Sequence, residues 1–280
     1  MIEGWRYYNH ALLPATSPHI VPDISRMKEK EFWKNSIGRP VLARWTTDFD
    51  CEQEQNWWYV IKDNCFDISE LKAKRRYEIN KGKKNFEVEI INPAEYIDDL
   101  VNIQKKAYEV YPAKYRPTVS KLKMENEIST WNENVVIYGA FSIEQKELVG
   151  YAMIIKESDY ANFAMLKTIP LYERQGINAA IVASILESFN EAIDSGYYIC
   201  DGERSLLHET NFQDYLEKYF GFRKAYCKLH VAFRFPYSII LNIISNFPEK
   251  LFRGALLSKV KVLLQFKKIS DENKYQEDRG

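Results

Sequence analysis

The segment of residues 173–179 has residue types that suit the binding of an anion. It reads Glu-Arg-Gln-Gly-Ile-Asn-Ala and opens a stretch with the apolar spacing of a helix. The first N–H groups of a helix lack intrahelical partners and carry partial positive charge, so anions bind there readily. Gly176 would let the backbone approach a phosphate closely, and Arg174 adds a full positive charge. An ordinary glycine near a helix start is the alternative interpretation.

The elements around this segment follow a regular order over residues 86–235. Apolar periodicity and helix-start residues predict β-α-α-β-β-β-α-β-α-β, a mixed sheet of the α+β class. The fourth strand feeds a long helix, about 175–194, which crosses to a parallel fifth strand. The three consecutive strands 135–143, 148–156 and 160–169 are apolar on both faces, which predicts that both faces of the sheet are covered. The predicted strands are 86–91, 135–143, 148–156, 160–169, 197–202 and 224–235.

The flanking regions have different patterns. Residues 1–35 carry three prolines among polar residues, which favours an extended arm or loop. Strands are predicted over 41–49 and 57–63, and a helix over 67–85 that Gly82 would end. We therefore expect an N-terminal extension or partial domain (1–85), a main domain (86–235) and an amphipathic helical segment (236–280).

Composition excludes several classes of protein. The 280 residues include 39 basic and 39 acidic side chains, so the net charge is zero, which argues against binding DNA through bulk electrostatics. The four cysteines show no CxxC pair, and no metal site is expected. No leader peptide, long apolar span, P-loop or hydrolase motif is visible, and the expected location is the cytoplasm.

The order of elements resembles the GNAT superfamily of N-acyltransferases. Residues 173–179 are similar to its pyrophosphate-binding motif, Gln/Arg-x-x-Gly-x-Gly/Ala, although Glu173 and Asn178 stand at motif positions. The stretch Tyr215–Phe222 resembles the closing segment of that family, and Leu148–Lys156 looks like the strand on which its acyl-CoA arm pairs. The resemblance implies acetyl-CoA or a related acyl-CoA as co-substrate. The coenzyme-binding residues it implies are Arg174, Gln175, Gly176, Ile177, Asn178 and Ala179.

Acyl transfer to an amine needs a proton acceptor for the amine and a proton donor for the leaving group. In this fold the end of the fifth strand opens toward the acceptor pocket, which makes Glu203 and His208 the candidate bases. Asp201 and Arg204 are interpreted as a candidate ion pair within the chain. The family acid is a tyrosine of the closing segment, and Tyr219 is the preferred candidate here.

The basic stretch before residue 86 resembles the Fem-type branch, which pairs two GNAT-like halves. Residues 72–84 hold seven basic side chains against one acidic residue, Glu78. These side chains form either a solvated helix face or a surface that recognises an anion such as CoA phosphate, a nucleotide-sugar or tRNA. Of these ligands tRNA is the least expected, because aromatic interleaving and net basicity are missing.

The C-terminal segment 236–268 combines apolar and basic residues, and Glu249 is the only acid between 249 and 269. Two interpretations stay open: peripheral contact with an anionic membrane at its inner face, or a helical pair packed on the domain or on a partner subunit.

The sequence as a whole predicts an N-acetyltransferase that acts on an amine of a small molecule or sugar, such as an envelope-polysaccharide precursor. A Fem-type transferase that uses aminoacyl-tRNA and a non-catalytic GNAT-fold binding module are the alternatives.

Overall fold

The computed structural model describes residues 3–34, 38–113, 116–206, 211–245 and 255–277. Side chains are described over 3–34, 38–113, 116–206, 211–245 and 260–273. The chain divides into two compact units. Unit 1 comprises 1–59, 203–210 and 224–280, and unit 2 comprises 60–202 and 211–223.

The described part of the chain contains ten strands and eight α-helices with the following bounds. The strands are β1 Trp5–Tyr8, β2 Ala11–Pro14, β3 Leu42–Thr47, β4 Trp57–Lys62, β5 Phe86–Ile91, β6 Val135–Ser142, β7 Leu148–Lys156, β8 Tyr160–Thr168, β9 Tyr198–Glu203 and β10 Arg223–Phe233. The α-helices are α1 Lys30–Lys34, α2 Ala73–Asn85, α3 Ile97–Glu109, α4 Lys121–Ser129, α5 Ile177–Asp194, α6 Asn211–Phe220, α7 Tyr237–Ile244 and α8 Ala255–Glu277.

The sheet of unit 2 has the strand order β9-β8-β7-β6-β5. Strands β5 to β8 are antiparallel neighbours, and β8 pairs with β9 in parallel. The long helix α5 makes the crossover between β8 and β9, as a parallel pair requires. The predicted element order and the mixed sheet are thereby confirmed.

Helices cover both faces of this sheet, as the two-sided apolar strands predicted. A Cβ at Gly150 of β7 would lie 2.9 Å from the side chain of Ile177 in α5. The next residue, Tyr151, accepts a 2.7 Å hydrogen bond at its hydroxyl from Gln104 of α3. Because neighbouring side chains on a strand point to opposite faces, α5 and α3 lie on opposite sides.

The pairing of the strands determines which of them has an unpaired edge in this sheet. Strand β7 is paired with β6 on one side and with β8 on the other, so it has no free edge for an acyl-CoA arm. The expectation that such an arm pairs on Leu148–Lys156 is therefore wrong. The parallel register of β8 with β9 covers only Tyr160–Asn162 against Tyr198–Cys200, and the two strands diverge beyond it.

Helix α2 packs closely on the start of α5. Gly82 does not end α2, which continues to Asn85. A Cβ at Gly82 would collide with the backbone oxygen of Gly176. The glycine lets two backbones touch, which explains why it lies inside a helix rather than at its end.

Unit 1 begins with a hairpin where an arm or loop was expected. Strands β1 and β2 are antiparallel, β2 is parallel to β3, and β3 is antiparallel to β10. The two-residue turn Asn9-His10 has φ of 45° and 65°, the positive values that tight hairpins require. Residues 5–14 therefore form a paired hairpin and are not a free arm or loop.

The C-terminal helix α8 packs on the strands of unit 1. Ile269 is buried in a cluster with Trp57 and Leu229. Asn273 donates a 2.9 Å hydrogen bond to the Leu229 carbonyl, and the Ser270 hydroxyl accepts one from the Val231 N–H. No helix in the described part of the chain is long and apolar enough to cross a membrane.

Candidate active site

A cavity of about 520 Å³ lies in unit 2 where β8 diverges from β9. Its size is within the range of small-molecule pockets. Side chains from one strand and three helices reach it, together with Asp201 of β9. The lining residues include Tyr108 of α3, Tyr111 just after that helix, residues 163–168 of β8, Asn178 of α5 and Phe212 of α6.

Asp201 is the titratable group of this cavity with the most altered environment. Burial raises its pKa to about 8, and a hydrogen bond from the Gln213 side chain only partly offsets this effect. Gln213 also donates to the Asp201 carbonyl at 3.2 Å, which ties α6 to the end of β9. A carboxyl group that titrates near neutral pH can accept and release a proton under working conditions.

Strand β8 carries a β-bulge inside the cavity. Met153 of β7 pairs with Met165, but the next residue, Ile154, pairs with Phe163, so Ala164 is the extra residue. A bulged residue lies outside the ladder, which leaves its N–H available. Ala164 is exposed and lines the cavity, so this N–H is a candidate donor to a developing oxyanion. No local pattern in the sequence indicates this bulge.

The coenzyme-binding residues predicted from the sequence lie in two environments. Arg174 is exposed, Gln175 and Asn178 are half-buried, and Asn178 lines the cavity. The other three, Gly176, Ile177 and Ala179, are buried.

Gly176 is required by helix packing. Its φ is +89°, and a Cβ there would lie 2.8 Å from the Glu78 carbonyl oxygen and 3.0 Å from the Gly82 nitrogen of α2. Lys81 and Asn85 of α2 also donate to backbone carbonyls of the turn before α5. The contact with α2 accounts for the glycine, and the role of this turn in coenzyme binding stays a prediction.

Glu203 lies in unit 1 and has both carboxylate oxygens engaged. Oε1 is 2.6 Å from the Arg44 guanidinium, and Oε2 accepts a 3.0 Å hydrogen bond from the Trp57 indole. The Arg44 guanidinium also lies 5.2 Å from the centre of the Phe266 ring. These contacts hold Glu203 as an ion-pair partner, and its assignment as a base stays a prediction.

Of the remaining catalytic candidates, only Tyr219 lies among the described residues, and it is not part of the cavity lining. His208 lies outside the described residues. Tyr219 has one ring face covered by the buried Arg75 guanidinium, 3.6 Å from the ring centre, and Arg75 pairs with Glu78 at 2.8 Å. Arg204 donates to the backbone carbonyl of Asn56, so the expected interaction of Asp201 with Arg204 stays a prediction.

Several basic residues of 72–84 make contacts within the chain. In addition to Arg75, they bind carbonyls or carboxylates and connect α2 with its surroundings. The contacts are Arg76 with the Ser69 and Leu71 carbonyls, Lys81 with the Arg174 carbonyl and Lys83 with Glu187.

Among the described residues no group of three or more His, Cys, Asp or Glu side chains could hold a metal ion.

No family profile and no curated protein matches the chain. Solved structures do resemble it. The C-terminal DUF2156 domain of a protein from Agrobacterium fabrum assigned as a lysylphosphatidylglycerol synthetase is 10% identical, with a TM-score of 0.50 over 86% of this chain and 82% of that chain. FemX is 8% identical, with a TM-score of 0.49 over 68% of this chain and 64% of that chain.

An N-acetyltransferase, PaiA from Thermoplasma acidophilum in complex with coenzyme A, is 19% identical, with a TM-score of 0.35 over 48% of this chain and 87% of that chain. Identities this low carry information on the fold alone. The strand order and the match to the DUF2156 domain agree on that fold. The chain therefore has a GNAT-like fold, the fold of acyltransferase-like proteins.

Proposed function

We propose that this protein transfers an acyl group to an amine inside the cavity beside β8. The observation that carries the proposal is the divergence of β8 from β9 with Asp201 at the opening, where its pKa is raised to about 8. A base whose pKa lies near the working pH is suited to deprotonating an ammonium group.

Two residues of the cavity take part in the proposed reaction, Asp201 through its carboxylate and Ala164 through its N–H. The ammonium of the acceptor gives one proton to the Asp201 carboxylate, and the free amine attacks the acyl carbonyl to form the new C–N bond. The Ala164 N–H stabilises the oxyanion of the tetrahedral intermediate. The bond to the leaving group then breaks, and the leaving group takes the second nitrogen proton.

The first candidate for the acyl donor is acetyl-CoA or a related acyl-CoA. The edge of β8 beyond Asn162 is not in register with β9, so its backbone groups can pair with an extended amide-bearing chain. The pantetheine arm of coenzyme A is such a chain. The acceptor is then an amine of a small molecule or sugar.

An aminoacyl ester, as carried by tRNA in Fem-type transfer, is the second candidate for the donor. Gly176, Ile177 and Ala179 are buried at the start of α5, and they leave little N–H surface for a diphosphate. The exposed Glu173 also lines the cavity and would repel one. These two features favour a donor that does not place a diphosphate at this turn.

The test is a transfer assay with the full chain, a library of amines and either acetyl-CoA or aminoacyl-tRNA, read by mass spectrometry. Asp201→Asn should slow transfer by about 10²-fold to 10⁴-fold. Asp214→Asn changes an exposed carboxylate of α6 and should leave the transfer rate unchanged. Saturable binding of a donor without transfer to any amine would indicate a non-catalytic binding module.

We also propose that α7 contacts an anionic membrane surface, to which the protein binds peripherally. Phe235, Ile239 and Ile243 are 74%, 51% and 55% exposed, and the sequence that follows is basic. The full chain should co-sediment with vesicles containing phosphatidylglycerol at low salt. Ile239→Ser with Ile243→Ser should abolish this, and a dimer that the same changes dissociate would instead show a subunit interface.

A further inference from the structure

We propose that Lys167 binds an oxyanion group of the acceptor, a carboxylate or a phosphate. The inference rests on the proposed function, because it concerns the amine that enters the same cavity. The acceptor then belongs to a narrower class, the compounds that carry an anionic group in addition to the reactive amine.

Lys167 lines the cavity, and no oxygen atom of the residues that the structure describes pairs with its ammonium. It lies in β8, its side chain is half-buried, and its ammonium is 4.7 Å from the ring centre of Tyr108 in α3. Within the described ranges neither Asp201 nor Glu173, which line the same cavity, forms an ion pair with it. An ammonium has three N–H donors, and an aromatic face does not satisfy them as oxygen acceptors do.

The aromatic contact positions the ammonium and leaves N–H groups for a ligand. Burial lowers the pKa of Lys167, so the surroundings of the ammonium disfavour its charged form. An oxyanion beside the ammonium would reverse this effect through direct attraction and charge-assisted hydrogen bonds. A neutral ligand would not supply that attraction.

Lys156 is the matched comparison within the same sheet. Its ammonium lies 5.2 Å from the ring centre of Phe189, a contact of the same kind, but Lys156 is exposed at the end of β7. Water can satisfy the N–H groups of Lys156, whereas those of Lys167 face a cavity. The difference between the two lysines therefore isolates the effect of the cavity.

The first test compares acceptors with and without the anionic group in the transfer assay. An amino acid and its carboxamide serve as the pair. Lys167→Met should raise KM for the amino acid by about tenfold or more, with kcat retained, because a hydrogen bond to a charged group is lost. KM for the carboxamide should stay the same, and Lys156→Met should change neither. A fall in kcat for both acceptors would overturn the proposal and assign Lys167 to proton transfer.

The second test needs no turnover. The full chain, labelled with ¹³C at lysine Cε, is titrated by NMR with inorganic phosphate and separately with acetate. The Lys167 signal, identified by its absence in Lys167→Arg, should shift saturably, while the Lys156 signal should not. The anion that binds more tightly identifies the group. A Lys167 signal that neither anion moves would overturn the proposal even if transfer occurs, whereas a shift without transfer would support the anion site and contradict the proposed function.

Discussion

The end of β9 and the start of α5 are the two segments that the sequence singled out for chemistry, and the structure gives them opposite environments. The end of β9 opens into a cavity at Asp201. The start of α5 is buried at Gly176, Ile177 and Ala179, and α2 packs directly on it. A residue pattern that suits anion binding is thus also what the close packing of two helices requires, and only the contacts distinguish the two.

The same contrast holds between two carboxylates on one strand. Asp201 and Glu203 are two residues apart, and Gly202 between them has a φ of +90°. Burial raises the pKa of Asp201, whereas Glu203 pairs with Arg44 and accepts from Trp57. The environment of each carboxylate, rather than its residue type, makes Asp201 the better candidate for a base.

The largest expected effect of packing on stability comes from the start of α5. Gly176→Ala should lower the free energy of unfolding by about 2–4 kcal/mol. The cost of a left-handed backbone conformation at an alanine adds to the cost of a collision between its Cβ and the Glu78 carbonyl. Gly196→Ala is the control, since its φ is +93° but nothing lies within 4 Å of the added Cβ. Urea unfolding measures the stability of both variants. Equal losses of stability in the two would show that contact with α2 is not the reason for a glycine at position 176.

Glu203→Gln should have a smaller effect, and on stability rather than catalysis. The amide keeps an acceptor for Trp57 but loses the charge that pairs with Arg44, whose side chain is only 14% exposed. We expect the free energy of unfolding to fall by about 1–3 kcal/mol. The transfer rate per folded molecule should not change. A loss of about 10²-fold in rate with unchanged stability would instead make Glu203 the base.

Asp201 should also make the stability of the protein depend on pH. The pKa of Asp201 is raised from 3.8 to about 8 on folding. Below pH 3.8 both states hold the proton, but between about pH 4 and 8 only the folded state does, so Asp201 lowers stability as pH rises through this window. Asn does not titrate, so Asp201→Asn should gain Tm over the wild type from pH 4 to 8. A constant difference in Tm would show that Asp201 titrates normally.

The order of elements was predictable because it depends on local patterns. The spacing of Ile177, Ile181 and Ile185 defines α5, and β-branched runs define the strands. The hairpin of residues 5–14 was missed because its strands are only four residues long and the prolines dominate the pattern.

The features of the site depend on long-range contacts instead. The environment of Asp201 arises from the divergence of β8 and from Gln213 on another helix. The bulge at Ala164 arises from the pairing with β7. The position of Lys167 over the Tyr108 ring depends on α3. None of these contacts has a local sequence pattern. The sequence therefore pointed to the end of β9, where it favoured Glu203 as a base, but it did not predict the different environments of Asp201 and Glu203.

The pH dependence of transfer tests most directly whether Asp201 is the base. The measurement is kcat/KM from pH 5 to 10 for the wild type and Asp201→Asn, with an acceptor whose ammonium titrates above pH 10, so that the proton that Asp201 must accept is present throughout. We expect the wild-type rate to rise to a plateau with a midpoint near pH 8, because the carboxylate must be free to accept the proton. In Asp201→Asn this rise should disappear. The same midpoint in both proteins would contradict the assignment of Asp201 as the proton acceptor.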